Sequence, residues 1–193
     1  RSSEFLGLCS VRVRGKFGKI ISTYCLLDPC ASFSQMRADF VESLALDTSR
    51  SRTVNVNTMI AKKTITSPWV SATISENDEG TEEFVMEFQA VPAERFESIP
   101  APVQADRRHL ARLVSDNFFN VDIPHVSLIV GAHPAVLHQV LEAHLTDAGL
   151  LIQRTKLGPV VTGMVGSRND PTHHTNFCCS VEIEEKLKNF FDA

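Results

Sequence analysis

The stretch "CLLDPCASFSQM", residues 25–36, decides how this chain is read, because an apolar run stops on an aspartate and a helical pattern follows. Cys25, Leu26 and Leu27 suit a buried strand, whereas Asp28-Pro29 has turn chemistry: Asp bonds its own backbone and Pro presets φ. Upstream, Leu8-Cys9-Ser10-Val11-Arg12-Val13-Arg14 alternates, residues 15–18 supply a turn, and residues 19–27 run back with β-branched and aromatic side chains. That pattern predicts a β-hairpin over 6–27. Downstream, Met36, Phe40, Val41 and Leu44 share one helical face within 34–46, with Ser32 or Ser34 as the N-cap. Asp28 is therefore expected in a strand-to-helix loop, a place for either chemistry or capping.

Further along, residues 47–67 are polar and β-tending, rich in Thr and Val and without glycine. Residues 68–75 and 82–91 predict a second hairpin around the turn residues Glu76-Asn77-Asp78-Glu79-Gly80. The proline-marked segment 92–102 reads as a crossing loop and 106–114 as a short helix. Residues 126–130 form a continuous apolar strand ending at Gly131, and Val136, Leu137, Val140, Leu141 and His144 predict a helix over 134–145. Residues 150–165 are strand-like with a break at Gly158-Pro159, 166–175 have linker composition, and 181–191 form a short amphipathic pattern.

The bulk numbers narrow the class. At 193 residues, 43% hydrophobic and 22% charged, the chain suits one core with a small appendage. A net charge of -4, with 19 basic and 23 acidic residues interspersed, gives no basic stripe for nucleic acid. No run reaches the roughly 18–20 apolar residues of a membrane helix. Five cysteines at irregular spacing, three of them in or beside apolar runs, favour free thiols and an intracellular, reducing setting. The start, Arg1-Ser2-Ser3-Glu4, predicts a piece of a longer polypeptide.

A family resemblance rests on particular segments. Leu26-Leu27-Asp28-Pro29-Cys30-Ala31-Ser32, followed by a helix ending Ser43-Leu44-Ala45-Leu46, resembles the retropepsin-like aspartic peptidase domain of Pao/Bel-type retrotransposon polyproteins. In that family the strand ends Leu-Leu-Asp-Ser-Gly-Ser and the helix ends in a Leu-Gly-Leu-like turn. "VSLIVGA", with Ile129, Gly131 and Ala132, is similar to the family's Leu-Ile-Gly-Ala-Asp segment. "RTKLGPVVTG", with Gly158 and Gly163, is similar to Thr-x-Leu-Gly-Trp-Val-x-x-Gly. The resemblance implies a mainly β fold, a retropepsin-like closed β-barrel lobe with two or three short helices, over residues 1–166. Residues 167–193 are then a linker and short helix leading toward the next region of a parent protein. It also implies a homodimer, in which Asp28 of each subunit joins a proton-sharing dyad that activates water; no cofactor or metal is part of that scheme.

Departures from the family pattern bear on activity. Pro29 replaces the hydroxyl residue that locks the two loops and has neither hydroxyl nor N–H. Cys30 replaces Gly, at a cost of about 1 kcal/mol or more if the position demands positive φ. His133 stands where the family carries Asp and Pro159 where it carries Trp, and the expected flap, 54–65, has no glycine. Catalytic geometry tolerates little error, about 1 Å costing about a hundredfold. These departures predict a catalytically inactive domain kept for homodimerisation or for binding a peptide or protein, of transposon or domesticated origin. The alternative is an active homodimeric aspartic endopeptidase using Asp28.

Other constellations are weaker. His173-His174 and Cys178-Cys179 lack the separated spacing that lets ligands converge on zinc, so no metal is expected. Cys30 with His125 or His133 as base is a conceivable nucleophile, but a buried structural cysteine is the commoner outcome.

Overall fold

The computed structural model describes residues 3–57, 62–78, 81–102, 110, 114–147 and 149–165. Ten strands take up more than half of the described residues, which makes the protein mainly β. In order they are β1 (Ser3–Arg14), β2 (Ile20–Leu27), β3 (Gln35–Arg37), β4 (Ser51–Asn57), β5 (Lys62–Glu76), β6 (Glu83–Val91), β7 (Ile123–Val130), β8 (Glu142–Leu145), β9 (Leu151–Thr155) and β10 (Gly158–Val165). An α-helix, α1 (Ala38–Ser43), follows β3.

Six strands close on themselves. β1 pairs antiparallel with β2, β2 runs parallel to β7, β7 is antiparallel to β3, β3 is parallel to β6, and β6 is antiparallel to β5. β5 returns to β1 through Arg12↔Ser75 and its neighbours, closing the barrel. β4 extends β5 as a hairpin arm, while β10, β9 and β8 fan out from the first half of β1. A bulge at Gly7, between Leu6 and Leu8, marks where the barrel portion of β1 begins; a bulge bends a strand at such a rim.

Alternation explains the interior. Cys9, Val11 and Val13 of β1, Ile21, Cys25 and Leu27 of β2, Val70, Ala72 and Ile74 of β5, Met86, Phe88 and Ala90 of β6, and Leu128 and Val130 of β7 fill one buried cluster. Every second residue points in because successive side chains take opposite faces of a sheet. The opposite faces of β1, β2 and β7 would lie in water, and a second layer covers them. Phe96, Ile99, Leu110, Val114, Phe118 and Phe119 pack there with Leu8, Tyr24, Leu26 and Val126.

The hairpins over 6–27 and 68–91 are as the pattern predicts. The helix expected over 34–46 starts only at Ala38, because Gln35–Arg37 is taken up as β3 between β6 and β7. Neither Ser32 nor Ser34 caps it; the N-cap is Arg37, whose side chain makes no capping bond to the helix N-terminus. No helix spans 134–145. A 3-10 turn at Ala135–His138 buries Leu137, and β8 then pairs with β9, so cross-strand pairing overrides the helical period. The break between the last two strands falls at 156–157, and Gly158 begins β10. Among the described residues the helical content is α1, a helical residue at Leu110 and 3-10 turns. At Leu110, Val114 N–H reaches back to the Leu110 carbonyl at 3.0 Å, but most of the helix expected over 106–114 lies outside the described residues. The amphipathic pattern over 181–191 and the linker 166–175 also lie outside them.

The end of α1 carries a small strain. Leu46 N–H bonds the Val41 carbonyl and Ala45 N–H the Glu42 carbonyl, the paired bonds of a Schellman cap, with Ala45 at φ 52°. That left-handed position favours Gly, the residue the resembled family carries in this turn. Ala45→Gly is expected to stabilise the domain by about 0.5–1 kcal/mol, read as a raised urea midpoint at unchanged slope.

Candidate functional site

β2 delivers Asp28 to the rim of the barrel. Its N–H bonds the Val130 carbonyl at 3.0 Å, which places it beside the end of β7. Ala31 N–H donates to the Asp28 carbonyl at 3.1 Å, and Cys30 N–H donates to Asp28 Oδ1 at 2.9 Å. This is a turn with Pro29 at its second position, where Pro is favoured, and with the aspartate bonding its own loop. Asp28 is partly exposed, and Pro29 and Cys30 are exposed. Among the described residues Phe17 and Ala45 are the non-glycines with positive φ, so Cys30 pays none of the left-handed cost that a glycine position would impose.

Residues 28–34 arch over the end of β7 and descend as β3 on its other side. Gly131 lies directly beneath. A Cβ there would sit 2.6 Å from the Ala31 carbonyl oxygen and 2.9 Å from the Phe33 carbonyl group. The arch is pinned: Gly131 N–H donates to Ser34 Oγ at 3.1 Å, Ala132 N–H to the Ala31 carbonyl at 2.9 Å, and Gln89 N–H to the Ser34 carbonyl at 2.9 Å. His138 Nε2 lies 2.7 Å from the Gly131 carbonyl and ties the 3-10 turn to the same point.

Phe33 packs edge-on against Trp69 of β5, with ring centroids 5.7 Å apart, and the Arg52 guanidinium lies 4.7 Å over the Trp69 ring. The foot of the β4–β5 arm therefore rests on the arch. The segment 54–65, where the resemblance implies a flap, belongs to this arm; its tip, 58–61, lies outside the described residues.

The structure gathers Leu26, Leu27, Asp28, Ile129, Gly131 and Ala132 at this rim. Leu27 faces the barrel core and Leu26 the outer layer, while Leu26 pairs with Ile129 across the parallel strands. His133 is exposed just beyond. Gly158, Pro159 and Gly163 belong instead to β10, where Pro159 pairs with Arg154 and Gly163 with Phe5. Gly158, at φ +91°, leaves room for the Glu76 carboxylate, whose atoms would come within 2.7 Å of an added Cβ. Burial pushes the Glu76 carboxyl up, against the pull of Arg154 at 3.5 Å, with Asp78 adding to the rise. Glu76 escapes the sequence reading because it looks like a turn residue.

The nucleophile alternative does not assemble through His125. That residue lies five positions before Val130 on β7, about 16 Å along an extended strand. Burial lowers its imidazole, the Arg37 guanidinium adds to the fall, and Asp39 opposes it. Asp39 is itself held low, first by the Arg37 hydrogen bond. Cys30 is exposed, correcting the expectation of a buried thiol, whereas Cys9 and Cys25 are free and buried. Burial raises the Cys25 thiol well above its ordinary value.

Among the described residues no group of three or more His, Cys, Asp and Glu could hold a metal, and no helix is long and apolar enough to cross a membrane. His173, His174, Cys178 and Cys179 lie outside them. No hydrogen bond or ion pair joins Asp28 to a second carboxylate among the described residues. Fold and site define a mainly β, closed-barrel domain bearing one turn-held aspartate on a crossover arch. No protein-family model matches the sequence, and no curated protein matches it.

Proposed function

We propose that this chain is a retropepsin-like domain of retroelement ancestry that has lost catalysis and serves as a self-associating, protein-binding module. The observation that carries the reading is the Asp28-Pro29-Cys30 turn. The carboxylate accepts from its own loop, and neither of the two exposed residues after it offers a hydroxyl to lock a second copy's loop. Pro29 removes a backbone donor as well. An aspartyl dyad needs two carboxylates close enough to share a proton, so two such loops must meet in register. A thiol and a pyrrolidine ring at the contact disfavour that meeting while leaving the barrel intact.

The test is proteolysis of a peptide library by the purified chain between about pH 4 and 7, where a proton-sharing dyad is sought. No cleavage is expected, with Asp28→Asn indistinguishable from the parent. Cleavage that Asp28→Asn abolishes assigns the chain instead to the active homodimeric endopeptidases.

A further inference from the structure

Edge strands with open main-chain groups invite pairing, and proteins usually shield them. β8 is such an edge. All four of its residues, Glu142, Ala143, His144 and Leu145, are exposed, and Leu145 is 69% exposed. Val140 and Leu141, just before it, are exposed as well. Both ends of β8 are committed to β9: Leu141 N–H donates to the Arg154 carbonyl and Thr146 N–H to the Leu150 carbonyl, each at 2.8 Å. Main-chain direction alternates along an antiparallel strand, so with Thr146 and His144 bonding inward, the groups of Ala143 and Leu145 face away from the sheet.

We propose that β8 is the strand through which two copies of this chain join, antiparallel across a two-fold axis at Ala143. The proposal rests on the self-associating reading above and assigns its surface. A two-fold axis makes the contact self-complementary. With Ala143 opposite its copy, each Ala143 N–H donates to the other's carbonyl, and Glu142 of each chain stands opposite His144 of the other. Opposed carboxylate and imidazole, made twice, favour this register, because unlike groups directly across a strand pair attract. Within its own sheet Glu142 is paired with Arg154, which is bonded to Glu76, so no like charge opposes the arrangement from β9. The extended sheet also lies beside Leu145, which shares the Ala143 face.

The experiment uses the full chain with Cys30, Cys178 and Cys179 changed to Ser. Cysteines are introduced singly at Ala143 and, as a control on the other free edge, at Asn55 of β4. A hydrogen-bonded antiparallel pair sets Cα atoms about 5.5 Å apart, within disulfide reach. The expected results are a dimer at micromolar concentration by sedimentation, oxidative cross-linking of Ala143→Cys, and none of Asn55→Cys. Ala143→Pro, tolerated on an edge strand but lacking the donor, gives a monomer that keeps its β circular dichroism and cooperative unfolding. Glu142→Lys weakens association by about tenfold. A dimer that survives Ala143→Pro and does not cross-link through Ala143→Cys overturns this surface while leaving self-association standing. A monomer throughout overturns both.

Discussion

Gly131→Ala is expected to cost about 3 kcal/mol or more, a large part of the roughly 5–15 kcal/mol that holds a domain folded. The added methyl meets backbone, not the flexible end of a side chain: the Ala31 carbonyl oxygen at 2.6 Å and the Phe33 carbonyl carbon and oxygen at 2.9 Å. Moving these atoms lifts the arch from β7 and stretches the Ser34 and Ala132 bonds that pin it. Urea unfolding followed by fluorescence measures the loss, and Trp69 reports locally because Phe33 touches it. A variant within 1 kcal/mol of the parent would mean that the arch does not cross over this residue.

Leu137→Ala is expected to cost about 2–5 kcal/mol, the range for removing a fully buried leucine. Leu137 is fully buried in the barrel core although its neighbours Val136, Val140 and Leu141 are 41–48% exposed. Alanine at those three positions is expected to change stability by about 0.5 kcal/mol or less. The contrast separates two geometries. An amphipathic helix over 134–145 would bury all four apolar residues together, and the four variants would then cost similar amounts. The 3-10 turn that inserts one side chain gives a single large loss.

These cases also mark what the sequence carries and what it leaves out. The 6–27 hairpin is legible because alternation and turn residues are local. So is the position of Asp28, where an apolar strand meets turn chemistry. β3 is hidden: three residues become a strand only because β6 and β7, more than fifty positions away, supply partners on both sides. The same dependence misleads the reading of 134–145, whose apolar spacing fits a helix until β9 pairs with its second half. Gly131 can be recognised from its motif, but its purpose is a close approach of two backbones that no single segment encodes. His138 offers no signal either, since its partner is a main-chain carbonyl. The Cys30 expectation fails for a related reason. Its apolar neighbours suggest burial, yet it stands at the crest of a turn.

The path of the chain around β7 bears on how the protein is made. β2 and β3 leave the ribosome early, yet the strand that sits between them arrives only with residues 123–130. At about 5–20 residues per second, the interval from Asp28 to Val130 is about 5–20 s. During that time β2 and β3 exist without the strand that stands between them, leaving two bare flanks open to intrusion by an extended peptide. A translation pause before β7 has cleared the ribosome prolongs this exposure.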